Sequence, residues 1–307
     1  MIKRVLVVGE ALTDVVVTEG HSREHPGGSP MNVSFGLGRL AVPVVFGTRL
    51  GADDRGRAIE RHLRGAGVDI EPGLLEAQAT SSATVTLDPS GAASYDFDVE
   101  WSLDVGDLDL RRFDHVHFGS IGAFLEPGAT TVRDILAAVA GSASISFDPN
   151  IRPQFLHDHT EAVTATERHV AASDIVKASD EDIEWLYPGS GLREIATRWL
   201  ESGPSLVIVT SGSGGSIVVT RSGHFSVPSR TVQVADTIGA GDSFMAGLID
   251  GLATDGFLGA SNRGALRRID LATMTGIVER ATLCASITVS RFGANPPTLT
   301  DLAVARG

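Results

Sequence analysis

Short apolar runs rich in β-branched residues alternate along the chain with segments of helical periodicity. In the helical segments, apolar side chains recur every three to four residues, as over residues 131–139 and 181–185. Parallel strands that are buried on both faces appear as continuous apolar runs, and helices connect them. The pattern predicts an α/β fold, a doubly wound and mostly parallel sheet flanked by helices, in one domain over residues 1–307. The runs begin at Val5, Val44, His115, Ser144, Asp174 and Leu206.

One segment, residues 83–101, departs from this alternation. Its residues 88–91, Asp-Pro-Ser-Gly, fit a type I turn, and Tyr95, Phe97 and Val99 then alternate with polar residues. We expect a hairpin with one apolar face that forms a small accessory sheet, either a lid over a site or a dimer surface. An edge extension of the main sheet is the alternative.

Composition narrows the class of protein. The 307 residues are 42% hydrophobic and carry a formal net charge of −13, which disfavours nucleic acid or an anionic membrane as a partner. No segment has the length of a membrane span. Cys284 is the single cysteine, so a core residue in a cytoplasmic protein is expected. The nine histidines show no metal-ligand spacing and are predicted to lie at the surface.

The segment DTIGAGDSFMAGLI, residues 236–249, combines a glycine-rich turn with an apolar helix. The helical spacing after the turn predicts that the helix begins close to Gly241 or Asp242. Gly239, Ala240 and Gly241 would leave the first amides of this helix uncovered, where a phosphate group binds well. Asp242 beside such a site is suited to accept a proton from an attacking hydroxyl. The alternative is a helix cap after a tight turn.

Two long segments in this order resemble the signatures of the ribokinase-like carbohydrate kinase family. They are the segment that contains GAGD and the segment PGGSPMNVSFGLGRLAVPVVFGTRLGADDRGR, residues 26–57. The GGSPMN form and the segments DPNIRP and GANPPT are most similar to fructokinases. The resemblance implies a ribokinase-like fold with a small β-sheet lid, formed by strands from about 13–24 and 80–103, through which members often form homodimers.

The resemblance assigns roles to the glycine turn. Asp242 would be the catalytic base, and Gly239, Ala240 and Gly241 would bind the phosphoryl group in transfer. Asp236 lies near the place where some members bind a monovalent cation, so K⁺ is a candidate ligand.

The sugar site is assigned to the N-terminal half of the chain. Asp14, just after the first strand, would accept hydrogen bonds from sugar hydroxyls; a solvated turn residue is the alternative. Gly27, Gly28 and Asn32 match the residues that touch the sugar in the family.

The start of a predicted helix and an arginine from a later loop are also expected near the sugar site. Ser29 and Pro30 fit the N-cap and first position of a helix. Arg152 in DPNIRP would reach the active site, with a structural salt bridge within the loop as the alternative.

The nucleotide site is assigned to two further segments. In VKASDED, Asp182 stands where the family has Glu and is a candidate Mg²⁺ residue, while Lys177 is either a phosphate ligand or an exposed lysine. The TSGSGG segment matches the nucleotide loop of the family. The candidate ATP-binding residues are Lys177, Ser179, Thr210, Gly212 and Gly215.

The resemblance to fructokinases implies an ATP- and Mg²⁺-dependent kinase that phosphorylates the primary 6-hydroxyl of a ketohexose, fructose first. Ribose, 2-keto-3-deoxygluconate and nucleosides such as adenosine are alternative substrates. A sugar-binding regulator without turnover is an alternative of a different class.

Overall fold

The computed structural model describes residues 4–18, 21–71, 79–87, 93–106 and 108–306. The strands are β1 (Val5–Val8), β2 (Leu12–Thr18), β3 (His21–Gly27), β4 (Val44–Gly47), β5 (Asp69–Ile70), β6 (Ser82–Leu87), β7 (Ala93–Asp98), β8 (His115–Gly119), β9 (Ser144–Asp148), β10 (Ile175–Ser179), β11 (Leu206–Thr210), β12 (Ser216–Thr220) and β13 (Gly223–Val227). The helices are α1 (Ser29–Arg39), α2 (Asp54–Gly65), α3 (Ser120–Phe124), α4 (Gly128–Val139), α5 (His159–Ala171), α6 (Asp180–Leu186), α7 (Leu192–Ser202), α8 (Ala240–Thr254), α9 (Arg263–Arg267), α10 (Leu271–Val289) and α11 (Leu299–Arg306).

The main sheet has nine strands in the order β13-β12-β11-β10-β9-β8-β1-β4-β5. The pairs from β11 to β5 are parallel, and β12 and β13 add two antiparallel strands at one edge. All six apolar runs form strands of this sheet, which confirms the predicted α/β class.

Helices cover both faces of the main sheet, so its strands are buried on both sides. Along β1, Val5 and Val7 pack into one hydrophobic cluster, and Leu6 and Val8 pack into the other. Each face of the sheet therefore has its own core layer, which explains why the strand is apolar at every position. No helix in the described ranges is both long enough and apolar enough to cross a bilayer.

A separate four-stranded sheet, in the order β3-β2-β6-β7, forms the lid. The predicted ranges, about 13–24 and 80–103, overlap its strands, and the separate sheet excludes an edge extension of the main sheet. Strands β6 and β7 pair antiparallel as expected for a hairpin. The predicted turn at residues 88–91 lies outside the described residues, as does the side chain of Tyr95. Phe97 and Val99 are half-buried and alternate with exposed Asp96 and Asp98, as predicted.

The prediction that the histidines lie at the surface is wrong for three of them, since His115, His117 and His169 are buried. His115 and His117 on β8 bond to the hydroxyls of Ser144 and Ser146 on neighbouring β9 at 2.8–2.9 Å. Burial lowers the pKa of both rings to about 3, so they are neutral. These cross-strand bonds satisfy polar groups inside the sheet.

Helix α8, which carries the glycine turn at its start, is held between α1 and α10. Close contact with α10 requires Gly247, where a Cβ atom would lie 2.8 Å from the sulfur of Cys284. Cys284 is buried, as predicted for a core residue. Ala246 faces α1 at Gly36, where an added Cβ would again come within 2.8 Å. Small residues thus fix the position of α8 relative to the sheet.

Candidate active site

A cavity of about 950 Å³ lies where the carboxyl ends of the parallel strands meet the lid. Doubly wound sheets bind their ligands at this edge. The main sheet contributes residues that follow β1, β8, β9, β10 and β11, and the lid contributes Asp14, Ala83 and Phe97. Helix α8 begins at the same cavity. The cavity is therefore enclosed by the main sheet, the lid and the glycine turn.

The glycine turn forms the N-terminus of α8. Helix α8 begins at Ala240, one or two residues before the predicted start, and Gly239 is its N-cap with a left-handed φ of 73°. A Cβ atom on Gly239 would lie 2.7 Å from that of Ala294. A Cβ atom on Gly241 would lie 2.9 Å from the Nζ atom of Lys177. Ala294 therefore leaves no room for a side chain at Gly239, and Gly241 makes room for the ammonium group of Lys177. The start of the helix carries the positive end of its dipole.

The carboxylate of Asp242 is held by two side chains from α1. Ser29 donates a hydrogen bond to Oδ1 at 2.6 Å, and the amide of Asn32 donates to Oδ2 at 2.8 Å. Burial raises the pKa of Asp242, while these two bonds and the positive charges of Lys177 and Arg152 oppose the rise. The carboxylate is thus oriented in the cavity and has the electrostatic setting of a proton acceptor.

Ser29 does not have its predicted role. The N-cap of α1 is Gly28, with φ 103°, and Ser29 is the first helical residue. The prediction that Ser29 caps the helix and Pro30 follows at the first position is therefore wrong by one residue. The glycine is needed at the cap because a Cβ there would lie 2.8 Å from the backbone oxygen of Glu10. The Ser29 hydroxyl is consequently free to bond to Asp242.

Asp14 lies on lid strand β2, not in a loop after β1, and its carboxylate faces the cavity. Gly27 is opposite Leu12 in the β2–β3 ladder, and a Cβ on Gly27 would lie 2.1 Å from Oδ2 of Asp14. Gly27 therefore makes room for this carboxylate instead of lining the cavity itself. Burial raises the pKa of Asp14 to about 6, although His25 and Arg152 oppose the rise.

Glu10 is a further carboxyl group in the cavity wall, and it was not among the predicted site residues. Glu10 is 3% exposed, and its Oε2 accepts a hydrogen bond from the amide of Gly122 at 2.8 Å. Burial raises its pKa to about 7. The sequence could have identified Glu10, because it follows β1 by two residues and ligands bind at the carboxyl ends of parallel strands.

Arg152 lines the cavity together with Asn150, in the loop after β9. Within the described ranges, no carboxylate lies within salt-bridge distance of its guanidinium, so the alternative of a structural salt bridge in the loop is not supported. Its positive charge instead opposes the rise that burial causes in the pKa values of Glu10, Asp14 and Asp242. Asn150 has a φ of 37°, a left-handed conformation that asparagine adopts more readily than most other non-glycine residues.

Lys177 is buried, which excludes the alternative of an exposed lysine, and it lines the cavity. Its ammonium group forms an ion pair of 2.9 Å with Asp148 at the end of β9. Ser179 caps α6 and also lines the cavity. Asp182 completes a capping box with Ser179, and its other oxygen accepts the amide of Ile151 at 2.7 Å. Both oxygens of Asp182 therefore bind backbone, and the residue does not line the cavity.

The predicted nucleotide loop follows β11 and lies at the cavity. Thr210 ends the strand, and Gly212 and Gly215 have φ values of 47° and 85°. A Cβ on Gly215 would lie 2.3 Å from the oxygen of Val227, so only glycine fits this turn. The loop presents backbone and small polar groups to the cavity.

Asp236 connects the glycine turn to a second loop and does not line the cavity. It accepts hydrogen bonds from the amides of Ile238 and Gly293 at 3.0 and 2.9 Å. In the described part of the chain, no cluster of three or more His, Cys, Asp or Glu residues could hold a metal ion.

Most of the sequence-predicted site residues meet in this one cavity, and Gly27, Asp182 and Asp236 support it from outside. Those that line it are Asp14, Gly28, Asn32, Arg152, Lys177, Ser179, Thr210, Gly212, Gly215, Gly239, Ala240, Gly241 and Asp242. The arrangement places an oriented carboxylate and two cations beside a helix N-terminus, which suits proton removal from an alcohol next to a transferring anionic group.

Comparison with known proteins identifies the family of this chain. The model of the pfkB family carbohydrate kinases matches residues 1–301. A fructokinase from Rhizobium leguminosarum bv. trifolii is 36% identical over 265 residues, 83% of this chain and 81% of the relative.

Two solved structures extend the likeness to the fold. A double-mutant fructokinase from Vibrio cholerae O395, bound to fructose, ADP and potassium ion, has a TM-score of 0.81 at 27% identity and covers 99% of this chain and 98% of its own. A fructokinase from Xylella fastidiosa with bound ATP has a TM-score of 0.85 at 24% identity, over 99% and 98% of the two chains, and supports the fold alone. The chain therefore belongs to the pfkB family of carbohydrate kinases and is an ATP-dependent, fructokinase-like member of it.

Proposed function

We propose that this kinase transfers the γ-phosphoryl group of ATP to the 6-hydroxyl of fructose. The observation that carries the proposal is the carboxylate of Asp242, held by Ser29 and Asn32 at the start of α8 inside the cavity. The fructokinase relatives support fructose as the acceptor. Primary alcohols are weak nucleophiles at neutral pH, so a positioned base is what this transfer needs.

In the proposed reaction, Asp242 accepts the proton of the 6-hydroxyl as its oxygen attacks the γ-phosphorus of ATP. The bond from that phosphorus to the bridging oxygen breaks, and ADP leaves. The backbone of Gly239, Ala240 and Gly241, with the dipole of α8, stabilises the negative charge of the phosphoryl group in transfer. Arg152 and Lys177 supply positive charge at the same place.

The sugar is proposed to bind between the lid and the sheet. Asp14 accepts hydrogen bonds from two sugar hydroxyls, and Asn32 and the backbone of Gly28 contact the same ligand. Phe97 from the lid and Phe155 from the loop after β9 line the cavity and contact each other edge to face, with ring centres 5.3 Å apart. This contact connects the lid with the main body and would help to exclude water, which competes with the sugar hydroxyl.

The nucleotide is proposed to occupy the end of the cavity lined by Lys177, Ser179, Thr210, Gly212 and Gly215. Mg²⁺ would enter bound to the ATP phosphates, where it neutralises charge on the β- and γ-oxygens. The donor set fits this route better than a dedicated protein site, because Asp182 already accepts two backbone amides. A role of Asp182 toward Mg²⁺ stays a prediction.

Potassium is proposed as an activating ion near Asp236. The Vibrio cholerae relative was crystallised with a potassium ion, and Asp236 holds the turn that precedes Gly239. Replacing K⁺ by tetramethylammonium should lower kcat in the wild-type protein and leave it unchanged in Asp236→Asn.

We further propose that the chain forms a homodimer through its lid sheet and acts in the cytoplasm. Strands β3 and β7 form the two edges of the lid, where main-chain groups of a second copy could pair. Analytical ultracentrifugation of the purified protein tests the dimer, and a monomer at micromolar concentration contradicts it.

The experiment that tests the proposed function is a substrate panel with ATP and Mg²⁺. Fructose, ribose, 2-keto-3-deoxygluconate and adenosine are compared by ADP release, and the product is located by NMR. Fructose should show the highest kcat/KM and give phosphate on C6. A higher value for another member replaces fructose as the substrate. Sugar binding without ADP release for every member indicates a regulator.

A further inference from the structure

The ion pair between Lys177 and Asp148 lies inside the sheet, directly below the glycine turn. The two side chains are 5% and 2% exposed, and Nζ and Oδ2 are 2.9 Å apart. Moving two charges out of water costs about as much free energy as their attraction returns, so such a pair seldom exists for stability alone. Its position in the site points to a different use.

The ammonium group of Lys177 touches the turn that is proposed to bind the transferring phosphoryl group. A Cβ atom on Gly241 would lie only 2.9 Å from Nζ. Lys177 also lines the cavity, whereas Asp148 does not. The pair therefore presents its cation toward the cavity and keeps its anion behind it.

Among the described residues, the side chain of Asp148 forms a hydrogen bond with Lys177 alone. Oδ2 accepts from Lys177, and Oδ1 is buried without a partner. Burial raises the pKa of Asp148 to about 6, with Lys177 opposing this and Asp182 and Asp242 adding to it. Burying a carboxylate whose second oxygen has no hydrogen-bond partner costs free energy, so a role in function is to be sought.

The charge state of Lys177 depends on the groups around it. Burial works to lower its pKa, but Asp148 on β9, Asp182 on α6 and Asp242 on α8 raise it, and the result is a raised pKa. His117 on β8 also faces the pair and is neutral because burial lowers its pKa to about 3. Asp148 is the only one of the three carboxylates in direct hydrogen-bond contact with the ammonium group.

We propose that Asp148 is a positioning residue of the kinase: it holds Lys177 protonated against Gly241, so that the ammonium group neutralises the phosphoryl group during transfer. This inference rests on the proposed function for the direction of transfer. It adds a residue that contacts neither sugar nor nucleotide and acts through Lys177.

The test compares Asp148→Asn, Lys177→Met and the double variant, with the best substrate of the panel, between pH 6 and 10. Each single change should lower kcat by about 10²-fold, the usual effect of removing one transition-state contact. The double variant should be no slower than Lys177→Met, because Asp148 acts only through the lysine.

The pH profile separates positioning from a merely structural role. Without Asp148, burial lowers the pKa of Lys177, so kcat of Asp148→Asn should fall as the pH rises toward 10 while the wild-type kcat stays level. Asp250→Asn is the matched control, since it breaks an ion pair between buried Asp250 and partly buried Arg280 that lies outside the cavity. Asp250→Asn should lower the melting temperature, but its kcat should not fall as the pH rises toward 10.

Three results would overturn the proposal: a wild-type kcat in Asp148→Asn, the same fractional loss at every pH, or losses that multiply in the double variant. If Asp148→Asn does not fold, Lys177→Met decides alone, and a wild-type kcat in that variant refutes the role. Failure of the proposed function looks different, because the wild-type protein then turns over no member of the panel.

Discussion

Glu10 offers a direct test of the electrostatics in the cavity wall. Its carboxyl group is buried, and the amide of Gly122 donates to Oε2. Glu10→Gln keeps the shape of the side chain and an oxygen that can accept this bond, but it removes the ionisable group. We expect the variant to change how the stability of the protein depends on pH.

The size of the effect follows from the pKa. Burial raises the pKa of Glu10 from 4.5 to about 7, so the folded chain binds more protons than the unfolded chain between these values. The free energy of unfolding therefore falls as the pH rises through this window. At about 1.4 kcal/mol per pH unit, the full loss is about 3 kcal/mol, and most of it lies between pH 5 and pH 8.

Urea unfolding at pH 5 and pH 8, at constant ionic strength, measures the difference. The wild-type protein should lose roughly 2–3 kcal/mol more stability between the two pH values than Glu10→Gln does. Glu201→Gln, at an exposed position of α7, serves as the control and should behave like the wild type. If Glu10→Gln and the wild type lose equal free energy from pH 5 to pH 8, the cavity does not oppose ionisation of Glu10, and the reasoning fails.

Three further predictions concern the proposed reaction. Asp242→Asn should lower kcat by at least about 10²-fold with little change in KM for ATP; near-normal turnover removes Asp242 from the role of base. Gly27→Ala puts a Cβ 2.1 Å from Oδ2 of Asp14, so KM for the sugar should rise about 10- to 100-fold; an unchanged KM separates Asp14 from sugar binding. Phe155→Leu removes the edge-to-face contact with Phe97, worth about 1 kcal/mol, so KM for the sugar should rise a few-fold and ATP hydrolysis without sugar should increase; no change in either contradicts a closing contact.

Local patterns predicted the elements of the fold because their causes are local. A strand buried on both faces must be apolar at every position, so β1 and the other central strands could be recognised from short runs. The alternation around Phe97 identified the lid hairpin in the same way. The start of α1 was displaced by one residue, because the close approach of Glu10 to Gly28 is a long-range contact.

The conformation of the glycine turn could be predicted only in part from the sequence. Three small residues before Asp242 predicted an exposed helix start, which the structure has at Ala240. The reasons for the individual glycines were not available from the sequence, since Gly239 packs against Ala294 and Gly241 lies beside the ammonium group of Lys177. Their spacing in sequence carries no information about these neighbours.

The chain by itself thus determined the alternation of strands and helices, the family resemblance and candidate site residues most of which line the cavity, because periodicity, turn chemistry and motif spacing are properties of short segments. Only the tertiary structure decided how the charged groups are paired. Ser29 and Asp242 are hydrogen-bonded although they are 213 residues apart in sequence, and Glu10 and Gly122 although they are 112 residues apart. Lys177 forms its ion pair with Asp148 of the neighbouring strand. Burial and partners set the pKa and direction of a side chain, and both arise only when distant segments pack together.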